Sequence, residues 1–242
     1  MKYWIKRLFY LIKSGSLFKV LPSYFNVSKK KMHEKIIPVK TLHEITGKVD
    51  FITVNNEFQD GNISPYELEC ICSIVKYAQP KRIFEIGTFN GKTSLNMAAN
   101  SSPDSHVYTL DLPKSEITKT KLRIKSGERA FIDKEQSGTQ FIGTPYEKMI
   151  TQIYSDSAKY DYSILANTID LVFIDGSHAY EYVVNDTEAA LKLLRNGKGI
   201  ILWHDYGWAE VIKALNEYYK NDTRFKNMIN IKDTSIVILQ IN

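Results

Sequence analysis

The sequence predicts a doubly wound α/β fold, with a mostly parallel, seven-stranded sheet, helices on both faces and an antiparallel hairpin at the C-terminus. Three observations predict it. Short apolar runs such as 83–86 and 170–174 alternate with stretches of helical periodicity. The last two apolar segments, 228–231 and 235–239, flank Lys232-Asp233 as hairpin strands would. Glycine-rich and polar clusters gather just after the runs, at the strand ends where a sheet of this class holds its ligand.

In chain order, residues 1–40 form a basic amphipathic arm and 41–242 the folded domain. The arm mixes Tyr3-Trp4-Ile5 and Leu8-Phe9-Tyr10-Leu11-Ile12 with Lys2, Lys6, Arg7, Lys13 and Lys19, a pattern suited to a membrane surface, to the domain itself or to a second subunit in a homodimer. Lys29-Lys30-Lys31 then makes a solvated linker. Ser64-Pro65-Tyr66-Glu67 carries a capping box with proline at the first helical position, and Leu68, Ile71, Cys72 and Val75 give that helix one apolar face up to Pro80. A strand at 83–86, a helix near 92–100 and a strand at 107–110 follow. Residues 112–148 are polar and without periodicity, as in an active-site insertion or a lid. Strands at 150–154, 170–174 and 200–203 then alternate with helices near 180–195 and 208–219, Gly197 ending the first of these.

Composition narrows the function. The 242 residues, 43% apolar and 24% charged, suffice for one core. Ten Lys or Arg against the single Glu34 give residues 1–40 a charge of +9, leaving −4 for the rest. A nucleic-acid binder is therefore not expected, because the folded body is mildly acidic. No run approaches the ~20 apolar residues that cross a bilayer. A cytoplasmic protein is expected, with the arm as its possible contact to the inner membrane surface. Cys70 and Cys72, two apart on a helix, fit neither redox nor disulfide chemistry.

The turn after the first long strand, Glu85-Ile86-Gly87-Thr88-Phe89-Asn90-Gly91-Lys92-Thr93, resists two phosphate-binding readings. A P-loop needs four residues between its glycines, and here only Thr88, Phe89 and Asn90 separate Gly87 from Gly91. A dinucleotide fingerprint needs glycine where Phe89 stands. On the acceptor side, Asp175-Gly176-Ser177-His178 and His204-Asp205 close successive strands. Two carboxylates and two imidazoles on one rim suit proton transfer from a hydroxyl, metal binding, or both.

Over residues 64–242 these motifs, with Asn185-Asp186 and Trp203-His204-Asp205-Tyr206, resemble the class I S-adenosylmethionine-dependent methyltransferases grouped as methyltransferase family 24, and more distantly the macrocin-type and catechol-type O-methyltransferases. The resemblance implies a Rossmann-like domain that binds S-adenosylmethionine. Glu85, Gly87, Thr88, Phe89, Asn90, Gly91 and Thr93 would form the turn around its methionine part, Asp111 and Leu112 would meet the ribose, Asp156 and Ser157 the adenine, and Asp175 would adjoin the donor. It also implies His178 as general base with Asp175 beside it, and Mg²⁺ on Asp175, His204 and Asp205, although relatives carry an acid where this chain has His204. The expected acceptor is a small molecule or a saccharide, with Tyr180, Tyr182, Tyr206 and Trp208 flanking the pocket. Two other functions remain open: a phosphotransferase using Gly91-Lys92-Thr93, and a noncatalytic scaffold using the arm.

Overall fold

The structure, a computed structural model, describes residues 34–242 except Asn56 and Phe58. The expectations for the arm at 1–33 lie outside the described residues. Eight strands form one sheet: β1 (Val39–Lys40), β2 (Arg82–Ile86), β3 (His106–Asp111), β4 (Ile150–Tyr154), β5 (Leu171–Ile174), β6 (Gly199–Trp203), β7 (Ile229–Ile231) and β8 (Val237–Ile241). The helices are α1 (Leu42–Thr46), α2 (Pro65–Ala78), α3 (Lys92–Asn100), the single turn α4 (Arg129–Ile132), α5 (Tyr180–Leu193) and α6 (Ala209–Asn221).

Strand order is β1-β7-β8-β6-β5-β2-β3-β4, with β8 antiparallel to both β6 and β7 and every other pair parallel. The sheet thus has one strand more than the seven expected. The addition, β1, is two residues long, too short for periodicity to register, and falls inside the stretch assigned to the arm.

The central strands are buried on both faces, so their side chains divide by alternation. Phe84, Ile86, Val172, Ile174, Ile201 and Trp203 pack with α5 and α6. Ile83, Leu171, Phe173, Ile200 and Leu202 pack with α2 and α3 on the other side. Cys70 and Cys72 belong to this second layer, free and buried, and burial pushes both thiols up to about 12. Each aliphatic side chain so covered contributes about 1.5–3 kcal/mol, which fixes the crest of the sheet as a rigid platform.

The chain runs outward from β2 through β3 to β4, then returns to build β5 and β6 on the other side of β2. The switch point therefore lies between β2 and β5, where the sheet opens a crevice at its carboxyl edge. Gly87 and Asp175 meet there, Asp175 N donating to Ile86 O and Gly87 N to Leu110 O. A Cβ on Gly87, whose φ is +103°, would stand 2.1 Å from Asp175 O, so only glycine allows the two strand ends to approach.

Candidate functional site

Glu85 is fully buried under the β2–α3 turn. Ser94 and Thr109 both donate to its Oε2, Thr109 at 2.5 Å, while Oε1 is buried without a hydrogen-bond partner. Burial raises its carboxyl to about 8 against those two hydroxyls, and the charges of Asp175 and Asp111 add to the rise. The other residues of the turn are tied to the chain itself. Thr88 Oγ1 lies 2.6 Å from Thr109 Oγ1 and accepts from Gln152 Nε2, and Asn90 Nδ2 donates to Gln59 Oε1. Phe89, at φ +49°, meets Phe131 edge-on, Gly91 (φ +84°) opens α3, and Thr93 is buried one residue into that helix. Lys92 Nζ donates to Glu57 O, so the residue that would imitate a P-loop lysine is spent on the fold.

Asp111 ends β3 as expected. Its Oδ2 accepts from Ser137 Oγ at 2.5 Å and from Lys134 Nζ at 2.8 Å, and its Oδ1 accepts from Leu112 N. Gly138 N and Gln140 N donate to Phe89 O and Asn90 O. The stretch read as an insertion is thus a strap lying along the glycine turn. Asp156 uses both oxygens internally, Oδ2 on Lys121 N and Oδ1 on Ala158 N and Tyr182 OH. Ser157 is buried beside it, its carbonyl taken by Tyr162 OH and Asn185 Nδ2.

Parallel register places Ile174 beside Trp203, and so brings Asp175-Gly176-Ser177-His178 and His204-Asp205 together. Asp205, strained at φ +60°, is the hub. Its Oδ2 lies 2.6 Å from His178 Nε2 and 3.2 Å from His204 Nδ1, while its Oδ1 accepts from Trp208 Nε1. Asp175 Oδ1 is 2.8 Å from His204 Nδ1. Burial works to lower both imidazoles, but Asp205, seconded at His204 by Asp175 and at His178 by Glu128, overturns it and leaves both raised, His204 strongly. Asp205 itself is held well below the carboxylate range, because the two imidazoles outweigh its burial. Burial prevails at Asp175 and leaves it raised.

Two acids complete this network that sequence reasoning did not place there. Glu128, from the strap, accepts His178 N at 2.6 Å and Ser177 Oγ at 2.9 Å, and its Oε1 is 3.4 Å from His178 Nδ1. It lies 50 residues from its partner in a segment without periodicity, and no sequence signal marks it. Glu67 keeps its place in the capping box with Ser64, but also accepts from Ser235 and stands 3.4 Å from His204 Nε2. A signal existed for Glu67, since α2 runs antiparallel to the strand it precedes and must begin at the sheet's carboxyl edge.

Of the aromatic residues expected around the pocket, Trp208 stacks on His178 with ring centroids 5.2 Å apart and is half-exposed. Tyr206 is instead a core residue whose hydroxyl donates to Asn216 and accepts from Ile36 N, and Tyr182 is buried on Asp156. Tyr180 donates to Glu217. The volume of a tyrosine after a strand end is better used in packing than in display.

Two groups can be tested against these residues. A cationic donor suits the cradle: Glu85 Oε1 is buried without a partner, the turn bears no side chain at Gly87, and Asp111 ends the neighbouring strand β3. Mg²⁺ does not suit the rim. Asp175, His204 and Asp205 do bring one ligand atom each within 4.8 Å of the others. However, both oxygens of Asp205 and Nδ1 of His204 are already engaged, and the cavity among them measures about 10 Å³, room for one water-sized atom, whereas Mg²⁺ keeps several waters in an octahedral shell.

Residues 84–206, just over half of the chain, match the model of methyltransferase family 24, a methyltransferase domain. The chain belongs to this family. The methyltransferase domain so defined contains Glu85, Asp111, Asp175, His178, His204 and Asp205, while Glu67 lies before it. Among solved structures, cofactor-bound Rv0187 from MTB superposes with a TM-score of 0.54 at 16% identity, over 77% of this chain and 84% of that one. The O-methyltransferase TomG from Streptomyces achromogenes, involved in tomaymycin synthesis and solved with SAM, gives 0.52 at 14% identity over 76% and 84%. SAH-bound methyltransferase PaMTH1 from Podospora anserina gives 0.53 at 16% over 76% and 81%. At such identities the likeness is one of fold. A curated relative, the uncharacterized protein R132 of Acanthamoeba polyphaga mimivirus, is 39% identical over 56 residues, which span 22% of this chain and only 25% of that protein. Among the described residues no helix is long and apolar enough to cross a membrane.

Proposed function

We propose that this methyltransferase domain moves the methyl group of S-adenosylmethionine to a hydroxyl of a small molecule or saccharide. One observation carries the reading: the His178–Asp205 pair stands beside the switch point at which the bare oxygen of Glu85 and the glycine turn meet. S-adenosylmethionine, when bound, supplies a methyl group on a positively charged sulfur. Glu85 and the Gly87–Gly91 turn would hold its charged methionine part, and Asp111 its ribose hydroxyls. The solved relatives with SAM and SAH in the same fold support this choice of donor.

The chain's own task is to orient the acceptor and remove its proton. Asp205 fixes the imidazole of His178 by taking the hydrogen on Nε2, and Trp208 covers one face of the ring. Proton uptake then occurs at Nδ1, and the resulting imidazolium lies between Asp205 and Glu128, which stabilise its charge. The raised resting value of His178 means that Nδ1 must first be emptied, so transfer accelerates as pH rises through that value.

Calorimetric titration of the full chain with S-adenosylhomocysteine and, separately, ATP tests the donor. Saturable heat with the first and none with the second is expected; the reverse would restore the phosphotransferase. His178→Ala should retain donor affinity while transfer from labelled S-adenosylmethionine to a panel of hydroxylated acceptors falls on the order of a hundredfold or more.

A further inference from the structure

Positive charge collects along one edge of a domain whose balance is negative. Residues 41–242 carry a net −4, yet within them 119–129 hold Lys119, Lys121, Arg123, Lys125 and Arg129 against the single acid Glu128, which is spent on Ser177 and His178. The structure fixes this run at the carboxyl edge of the sheet. Lys121 N donates to Asp156 Oδ2 at 2.7 Å and Lys125 Nζ is 3.1 Å from Glu210 Oε1, while Leu122 and Ile124 between them pack on Ala158, Ala179 and Tyr182. Alternation turns Lys121 and Arg123 outward. Both are exposed, and among the described residues neither side chain has a carboxylate partner.

The same edge bears two exposed amphipathic aromatic residues. Trp208, 45% exposed, stacks on His178, and Tyr66, 41% exposed, stands one residue before Glu67, the acid 3.4 Å from His204. Single exposed rings are ordinary on a protein surface, but these two flank one site, and half-covered rings with a polar tip suit the headgroup layer of a bilayer. The N-terminal segment also enters here. Ile36 N donates to Tyr206 OH, Lys35 Nζ lies 5.1 Å from the centre of that ring, and Tyr206 directly follows Asp205. Residues 1–33, which lead into this junction, contain eight Lys or Arg, seven aromatic residues and no Asp or Glu.

We propose that this carboxyl edge docks on an anionic lipid surface: residues 1–33 and the row at 119–129 supply the cations, Tyr66 and Trp208 enter the headgroup layer, and the rim that holds His178 faces the lipid. Charge complementarity selects the occupant. Each Lys or Arg held at an anionic bilayer strengthens binding about fivefold, whereas a second copy of this chain would set one cationic row against another. The docking stands on charge and exposure alone. Calling the rim an acceptor site rests on the methyltransferase reading, under which hydroxyls of lipid headgroups or of lipid-linked saccharides are the acceptors within its reach.

The experiment is co-sedimentation of the full chain with vesicles of phosphatidylcholine, alone or mixed with phosphatidylglycerol. Binding should be at least about tenfold tighter to the mixed vesicles, and Lys121→Gln with Arg123→Gln should weaken it on the order of twentyfold. Orientation is read from fluorescence, because the chain has only three tryptophans and Trp203 is buried in the core. With Trp4→Phe, Trp208 is the one exposed emitter, and phosphatidylcholine spin-labelled at its headgroup should quench it; adding Trp208→Phe should remove the quenching. No vesicle binding, binding indifferent to lipid charge or to the double substitution, or binding without quenching of Trp208 would each overturn the proposal, as would a stable dimer that leaves vesicles alone. The wild-type sedimentation decides even if a variant fails to fold. Calorimetry with S-adenosylhomocysteine in the absence of vesicles keeps the two readings apart: no heat strikes the methyltransferase, whereas heat without vesicle binding strikes the docking alone.

Discussion

Glu85 illustrates how one buried residue sets a pH dependence. Its carboxyl rises to about 8 in the folded chain, above the ordinary carboxylate value. The stabilisation that depends on its neutral form is therefore complete below the ordinary range and is lost as pH climbs toward about 8, a difference on the order of a few kcal/mol. Glu85→Gln keeps the shape and cannot ionise. Thermal denaturation from pH 5 to 9 should show wild type falling below the variant as the pH rises; parallel curves would mean that Glu85 stays charged when folded. The same logic with opposite charge governs His178. Asp205→Asn removes the anion that holds its value up, so the pH–rate midpoint should move to the acid side. The plateau should also drop by about 10²–10⁴, because the ring loses the partner that fixes its tautomer. A midpoint that does not move would assign the titration to another group.

At the scale of elements, strand ends were legible and the strap was not. The residues Asp175, His178, His204 and Asp205 stand at the ends of two runs that composition alone marks as buried strands, and parallel pairing brings them together without further information. Glu128, Lys134 and Ser137 come from a stretch with no period, and their partners are 23 to 50 residues away at sites only the folded sheet assembles. The strap has a consequence for donor binding, since Lys134 and Ser137 occupy the oxygen of Asp111 that ribose hydroxyls would use. Breaking a charged hydrogen bond costs about 1.5–3 kcal/mol. Lys134→Met with Ser137→Ala should therefore tighten S-adenosylhomocysteine binding by roughly tenfold in calorimetry. Weaker binding would show instead that the two side chains belong to the donor site.

For the whole molecule, alternation along β2, β5 and β6 fixed the two core layers, and the antiparallel hairpin followed from its turn; what escaped was the junction between the N-terminal segment and the domain. β1 is held at the sheet edge by β7, and just before it the chain is pinned by the core. Tyr206 OH accepts from Ile36 N at 3.1 Å and donates to Asn216 Oδ1 at 2.6 Å, while Asn216 Nδ2 donates to Glu34 O at 2.7 Å. Tyr206 follows Asp205 directly, so one ring links the acceptor rim, α6 and the path into β1. Tyr206→Phe would leave Ile36 N and Asn216 Oδ1 without partners in a buried place, at a cost of about 1–3 kcal/mol, or a fall of about 2–4 °C in Tm per kcal/mol for a chain of this size. The loss should be local in its consequences. Limited proteolysis should cut the variant faster than wild type between residues 34 and 40, while S-adenosylhomocysteine affinity, which the proposed function assigns to Glu85 and Asp111, stays the same. If affinity fell with the new cleavage, the tie would extend into the donor cradle, and the N-terminal segment would have to be counted as part of the site.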